Sequence, residues 1–172
     1  QLTAKRLRLL TPTPSTPERV ADTVSEVLEH FGWKGPVGIT FPAVVQHGIT
    51  RSAANVDKEW IDTDADALFE KRLGVPALVV NDADAAGVAE VRYGAAKDVG
   101  GLVILITLGT GIGSAFIIDG RLVPNSELGH LELNGHDAET KASEIARERD
   151  GLDWDDLFGR RLIASDDPEQ VN

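Results

Sequence analysis

The sequence has no cysteine, which excludes a disulfide framework, a thiolate zinc site and a cysteine nucleophile together. It is also poor in cations: 17 Lys and Arg stand against 28 Asp and Glu, for a formal net charge of −11. General binders of nucleic acid or membrane surfaces gather Lys and Arg to meet phosphates, so neither partner is expected. An anionic ligand would be held by local backbone amides instead. No apolar run approaches the ~18 to 20 residues that cross a bilayer, and no charged-then-apolar leader opens the chain. These absences predict an unexported, soluble, cytoplasmic protein.

What is present suffices for a packed core. Hydrophobic residues make up 42% of 172 positions, a length within the ~50 to ~250 residues usual for domains. Gln1 stands where a Met would start translation, and the apolar stretch Leu7 to Leu10 begins almost at once. The tail from Asp166 to Asn172 is polar and offers no closing element. An incomplete chain is the expectation.

Alternating helix and strand signals follow. Thr16, Pro17 and Glu18 supply a cap, a first-turn proline and an acidic first turn for a helix to about His30. Val20, Val24, Val27, Leu28 and Phe31 share one face of it, and Gly32 ends it. Val37 to Phe41 reads as a strand stopped by Pro42, and Thr63 as the cap of a second helix that ends at Gly74. Ala77 to Val80 reads as a short buried strand, with Asn81 and Asp82 at its carboxyl end and an alanine-rich helix from Ala83 to Tyr93. Such alternation implies an α/β layer with a largely parallel sheet and ligands beyond the strands' carboxyl ends. A second series opens with Leu102 to Ile106, uniformly apolar as a strand buried on both faces must be. It runs into Gly109-Thr110-Gly111-Ile112-Gly113, then a strand, then an Asp119-Gly120 hairpin signal. Asp137 to Arg149 reads as one helix capped by Asp137, with Ala142, Ile145 and Ala146 inward.

Four segments carry chemistry. Closely spaced glycines let backbone N–H groups approach a phosphate, and a strand follows Gly113, which excludes both a dinucleotide fingerprint and a Walker loop. A plain tight turn remains an equal reading. Asn81-Asp82 places an amide and a carboxylate at a strand-to-helix corner, where a carboxylate can take a proton from a hydroxyl; a helix cap is the commoner meaning of such a pair. Glu127, His130 and Glu139 suit either the hydroxyl pairs of a pyranose or part of a metal site, while a lone His near a turn is more often structural. The segment Ser52 to Asp57, with Trp60, is a polar loop able to close over a sugar or simply to pack.

Five ordered motifs then coincide. Val37-Gly38-Ile39-Thr40-Phe41-Pro42, Ala54-Asn55-Val56-Asp57-Lys58, Asn81-Asp82-Ala83-Asp84-Ala85-Ala86, Thr107 through Gly113, and Pro124-Asn125 through Glu132 resemble the polyphosphate glucokinase family, a branch of the ROK group (repressors, open reading frames, kinases). The resemblance implies an α/β, two-domain sugar kinase of actin-like, ribonuclease H-like fold, incomplete at both ends. Its N-terminal domain would cover 1–81, and its larger domain, with the glycine hairpin and sugar site, 82–172. It implies phosphoryl transfer from polyphosphate or ATP to the 6-hydroxyl of glucose, with mannose the next acceptor, Mg2+ arriving with the donor, and a homodimer.

The same resemblance makes Asp82 the catalytic base. Asn55, Asn81, Glu127, His130 and Glu139 match positions that hold sugar hydroxyls, and Gly109, Thr110, Gly111 and Gly113 match the phosphate turn. ROK kinases in general carry a zinc-binding cysteine cluster where this chain has Gly135-His136-Asp137-Ala138-Glu139, so no zinc is expected. Ala43 follows Pro42 where the family usually has Gly, and the family's first phosphate loop would lie upstream of Gln1. Two rival readings are a sugar-sensing repressor, which would need a basic helix-turn-helix, and a ROK-type sugar-binding fragment without turnover.

Overall fold

The computed structural model describes residues 4–133 and 135–157. The chain divides into two compact units, Gln1–Asp82 and Ala83–Asn172.

In the first unit, residues 4–16 form no helix or strand and Leu10 is 89% exposed. Helix α1, Pro17–Phe31, starts where Pro17 sets φ, and it ends at Gly32 in the left-handed region (φ 58°). The expected side-chain cap is not made: Thr16 is extended and contributes only its carbonyl, which accepts from Val20 N at 3.0 Å. Ala21 and Ser25 lie deepest, while Phe31, expected inside, is half exposed.

Strand β1 (Val37–Phe41) is followed by a small hairpin of β2 (Val45–Gln46) and β3 (Ile49–Thr50), then α2 (Ala65–Leu73) and β4 (Ala77–Asn81). β1 and β4 pair in parallel, from Val37 opposite Ala77 to Phe41 opposite Asn81. Their sheet is buried on one face only, since Val79 is buried and Leu78 is 61% exposed. The cap of α2 is Asp64 rather than Thr63. The Asp64 carboxylate accepts from Ala67 N at 2.9 Å, and the Thr63 hydroxyl donates to the Glu59 carbonyl at 2.7 Å. Carboxylates outrank threonine as caps, and Thr63 is occupied by the preceding turn. Phe41, Trp60 and Phe69 centre the core, with ring centroids 4.3 Å apart for Phe41–Trp60 and 6.1 Å for Trp60–Phe69.

Helix α3 (Asp82–Tyr93) begins on the last residue of the first unit and runs into the second. There β5 (Leu102–Leu108), β6 (Ile112–Ile118) and β7 (Arg121–Val123) form an antiparallel sheet in that order. Asp119 and Gly120 both take positive φ, 48° and 76°, as the expected two-residue hairpin demands. α3 packs tightly on β6 through Gly87, where an added Cβ would meet the Ala115 Cβ at 2.7 Å. The expectation that β5 is buried on both faces fails: Leu102, Ile104 and Ile106 are 58%, 49% and 52% exposed, because described elements cover one face alone.

Beyond β7 come a single 3-10 turn (Leu128–His130), β8 (Glu132–Leu133), β9 (His136–Asp137), α4 (Glu139–Ala142), α5 (Glu144–Asp150) and α6 (Trp154–Leu157). The single helix expected from Asp137 to Arg149 is therefore two. Ser143 turns extended (ψ 168°), its hydroxyl accepts from Ala146 N at 3.2 Å to start α5, and Asp137 lies in a strand instead of capping. Ala142 and Ala146 are buried as expected, whereas Ile145 is 52% exposed. Among the described residues no helix is long and apolar enough to cross a membrane.

Candidate functional site

Each unit carries its own set of polar groups. In the first, β4 delivers Asn81 and α3 begins with Asp82. Asn81 is 8% exposed and its amide donates to the Ala43 carbonyl at 3.1 Å. The turn after Pro42 is thus fastened to the end of β4, even with alanine at position 43. Asp82 is exposed at the carboxyl end of a parallel strand, the end beyond which ligands of such sheets bind.

Asn55 sits exposed at the bend of the loop that follows β3. That loop is fixed at both ends: the Ser52 hydroxyl accepts from Val44 N at 2.9 Å, and Lys58 Nζ reaches the Ala53 carbonyl at 2.7 Å. Further on, Asp57 N donates to the Ser15 hydroxyl at 3.1 Å and Trp60 Nε1 to the Ser15 carbonyl at 2.8 Å. Trp60 has no exposed surface, so it packs and does not cover a ligand.

In the second unit the glycine turn joins β5 to β6. Gly109 N donates to the Gly111 carbonyl at 2.9 Å, the Gly109 carbonyl accepts from Glu144 N at 3.0 Å, and Thr110 is exposed at the tip. The Glu139 carboxylate occupies the space that a Cβ on Gly111 would take, so a side chain there would displace Glu139. Gly113 has the Ala83 Cβ 3.0 Å from where its own would stand. Glu139 Oε2 accepts from Ile112 N at 3.4 Å, and Oε1 lies 3.9 Å from His130 Nδ1. Glu139 thereby touches both the turn and His130, a pair brought together from distant parts of the sequence. Glu127, half buried, lies in the same loop as His130.

That loop is seated on β6. Gly129 approaches so closely that a Cβ would strike the Ile112 carbonyl. Backbone cannot yield as a flexible side chain can, so Gly129→Ala is expected to destabilise by ~1 to 3 kcal/mol, visible as a lowered midpoint in urea denaturation. Two residues that the sequence did not single out lie beneath: Ser114, 2% exposed, and Asp84, 4% exposed. The available signal was a hydroxyl and a carboxylate interrupting apolar segments, since buried polar groups require partners. Among the described residues no group of three His, Asp or Glu is gathered to hold a metal ion.

The signature of the ROK family matches residues 2–145. The chain belongs to the ROK family. Among ROK relatives, it is 54% identical over 155 residues to the polyphosphate glucokinase of Mycobacterium tuberculosis (strain H37Rv), covering 90% of this chain and 58% of that protein. The crystal structure of inorganic polyphosphate/ATP-glucomannokinase from Arthrobacter sp. strain KM superposes with a TM-score of 0.85 at 60% identity, covering 91% of this chain and 65% of that one. A ROK glucokinase from Streptomyces griseus, solved with glucose and AMPPNP, gives a TM-score of 0.70 at 31% identity, covering 81% of this chain and 49% of that one. The α/β ROK sugar-kinase fold expected from the motifs is thus the fold observed, over somewhat more than half the length of the curated relatives.

Proposed function

We propose that the protein is a polyphosphate glucokinase, moving a phosphoryl group from polyphosphate or ATP to the 6-hydroxyl of glucose, with mannose as a second acceptor. The observation that carries this reading is the junction in the second unit, where Glu139 contacts both His130 and the backbone of the glycine turn. It brings residues that we take to read hydroxyls next to the turn that we take to grip phosphate, which supports the reading suggested by the likeness to polyphosphate glucokinases.

Phosphoryl transfer asks the protein for alignment and charge neutralisation more than for covalent chemistry. In the proposed mechanism Asp82 accepts the proton of the 6-hydroxyl as that oxygen bonds the terminal phosphorus, while the bridging P–O bond breaks and the shortened polyphosphate, or ADP, leaves with the electron pair. Asn55, Asn81, Glu127, His130 and Glu139 orient the sugar through its other hydroxyls. Gly109 N and Ile112 N are engaged within the fold, so the N–H groups of Thr110 and Gly111, at the tip of the turn, would face the transferring phosphoryl oxygens, where preorganised donors are most effective. A divalent cation, proposed to be Mg2+, would neutralise charge on the donor phosphates. Among the described residues no carboxylate cluster is gathered to hold a cation, so it would come bound to the donor's phosphate oxygens, the hard ligands that suit it. We assign the enzyme to the cytoplasm as a homodimer.

The decisive experiment is an assay of the full-length gene product with glucose and either polyphosphate or ATP. Glucose 6-phosphate is expected, and its absence with both donors would refute the reading. A separate prediction concerns zinc. If Glu127, His130 and Glu139 read hydroxyls, elemental analysis of dialysed protein should find no stoichiometric zinc, and retained zinc would reassign them as ligands.

A further inference from the structure

We propose that Ser114 is a positioning residue for sugar binding, acting through Glu127. This rests on the assignment of Glu127 as a sugar-hydroxyl ligand. Ser114 lies on β6 just beyond the glycine turn and is 2% exposed. Its hydroxyl donates to the carbonyl of Ser126 and accepts from the N–H of Leu128 at 2.9 Å. One buried side chain therefore holds the peptide groups on both sides of Glu127. A hydroxyl is the smallest group able to donate and accept at once, and the site uses both capacities.

A second anchor works alongside. Asp84 Oδ2 accepts from Asn125 N at 3.0 Å, and Asn125 takes a left-handed conformation (φ 59°) that asparagine adopts more readily than most side chains. With Gly129 pressed on the Ile112 carbonyl, the loop from Asn125 to His130 is pinned to α3 and β6 along its length. β6 carries the glycine turn at one end and Ser114 beside it, so the phosphate grip and the Glu127 loop share one rigid strand. Catalytic geometry is sensitive to displacements of ~1 Å, which is the scale on which one lost anchor shifts a loop.

The test is glucose affinity by calorimetry on the full-length gene product, together with amide hydrogen exchange. Ser114→Ala is expected to weaken glucose binding by roughly 10-fold, within the loss expected when a buried pair of hydrogen bonds is removed. It should also release protection at the Leu128 amide. Ser114→Thr keeps the hydroxyl and should restore both. Should the alanine variant fail to fold, Ser114→Cys, nearly isosteric but a weak donor and acceptor, carries the same comparison.

A double-mutant cycle separates this proposal from the reading beneath it. If Ser114 acts through Glu127, Ser114→Ala adds nothing to the loss already caused by Glu127→Ala. Wild-type glucose affinity in folded Ser114→Ala, or additive losses, overturns the role of Ser114 alone. Wild-type affinity in Glu127→Ala overturns the sugar-ligand assignment, and the proposal with it.

Discussion

Asp82→Asn in the full-length gene product is expected to lower turnover by ~10²- to 10⁴-fold, the usual range for loss of a general base, while glucose still binds. Asparagine keeps the size of the side chain and its ability to hydrogen-bond a hydroxyl, but it cannot take the proton. Position supports the role. Asp82 stands exposed at the carboxyl end of β4, beside an Asn81 already fastened to the Ala43 carbonyl at 3.1 Å. The Asn81 bond holds the corner from which Asp82 projects. The informative comparison is turnover at saturating glucose, where binding differences drop out. Near-normal turnover there would remove Asp82 from the reaction, and a proportional rise in KM with turnover kept would make it a binding residue instead.

What the sequence made legible was local. β1, β4, the glycine turn and the Asp119-Gly120 hairpin each follow from residues adjacent in the chain, and each appears where expected. The errors lie where two neighbours compete or a distant group decides. Thr63 and Asp64 are both able to cap α2, and only the bond from Thr63 to Glu59 leaves the cap to Asp64. The break at Ser143 is stabilised from outside its segment, where Glu144 N reaches the Gly109 carbonyl. β5 reads as doubly buried because an apolar composition says what a face tolerates, not what covers it.

The site divides in the same way. The glycines and Asn81-Asp82 announce themselves through chemistry written in consecutive residues. Asp84 and Ser114 do not, because their partners are 41 and 14 residues away in sequence. The contact between Glu139 and the Ile112 amide spans 27 residues. Only the fold shows that Glu139 belongs with the glycine turn, and only the fold shows that a side chain on Gly111 would displace the Glu139 carboxylate.

The largest effect on stability is expected from Trp60→Ala. Trp60 has no exposed surface and its ring lies against Phe41 and Phe69. Truncating a buried aromatic to alanine costs about 3 to 5 kcal/mol, against a total stability of ~5 to 15 kcal/mol for a domain. The indole is also a tether, since Nε1 donates to the Ser15 carbonyl at 2.8 Å. Trp60→Phe isolates that part: it retains an aromatic ring, loses the donor, and leaves the Ser15 carbonyl short of a partner, for a loss of ~1 to 3 kcal/mol. Urea denaturation of the two variants should therefore rank wild type, Trp60→Phe and Trp60→Ala in descending order. The Ser15 tether also bears on the Asn55 loop, because Asp57 N bonds the Ser15 hydroxyl. In folded Trp60→Phe, glucose affinity should fall if Asn55 binds the sugar, by less than in Asn55→Ala, which removes the contact itself. Wild-type stability in Trp60→Ala would contradict the packing of the first unit, whereas lost stability with unchanged glucose affinity in Trp60→Phe would detach the Asn55 loop from the sugar.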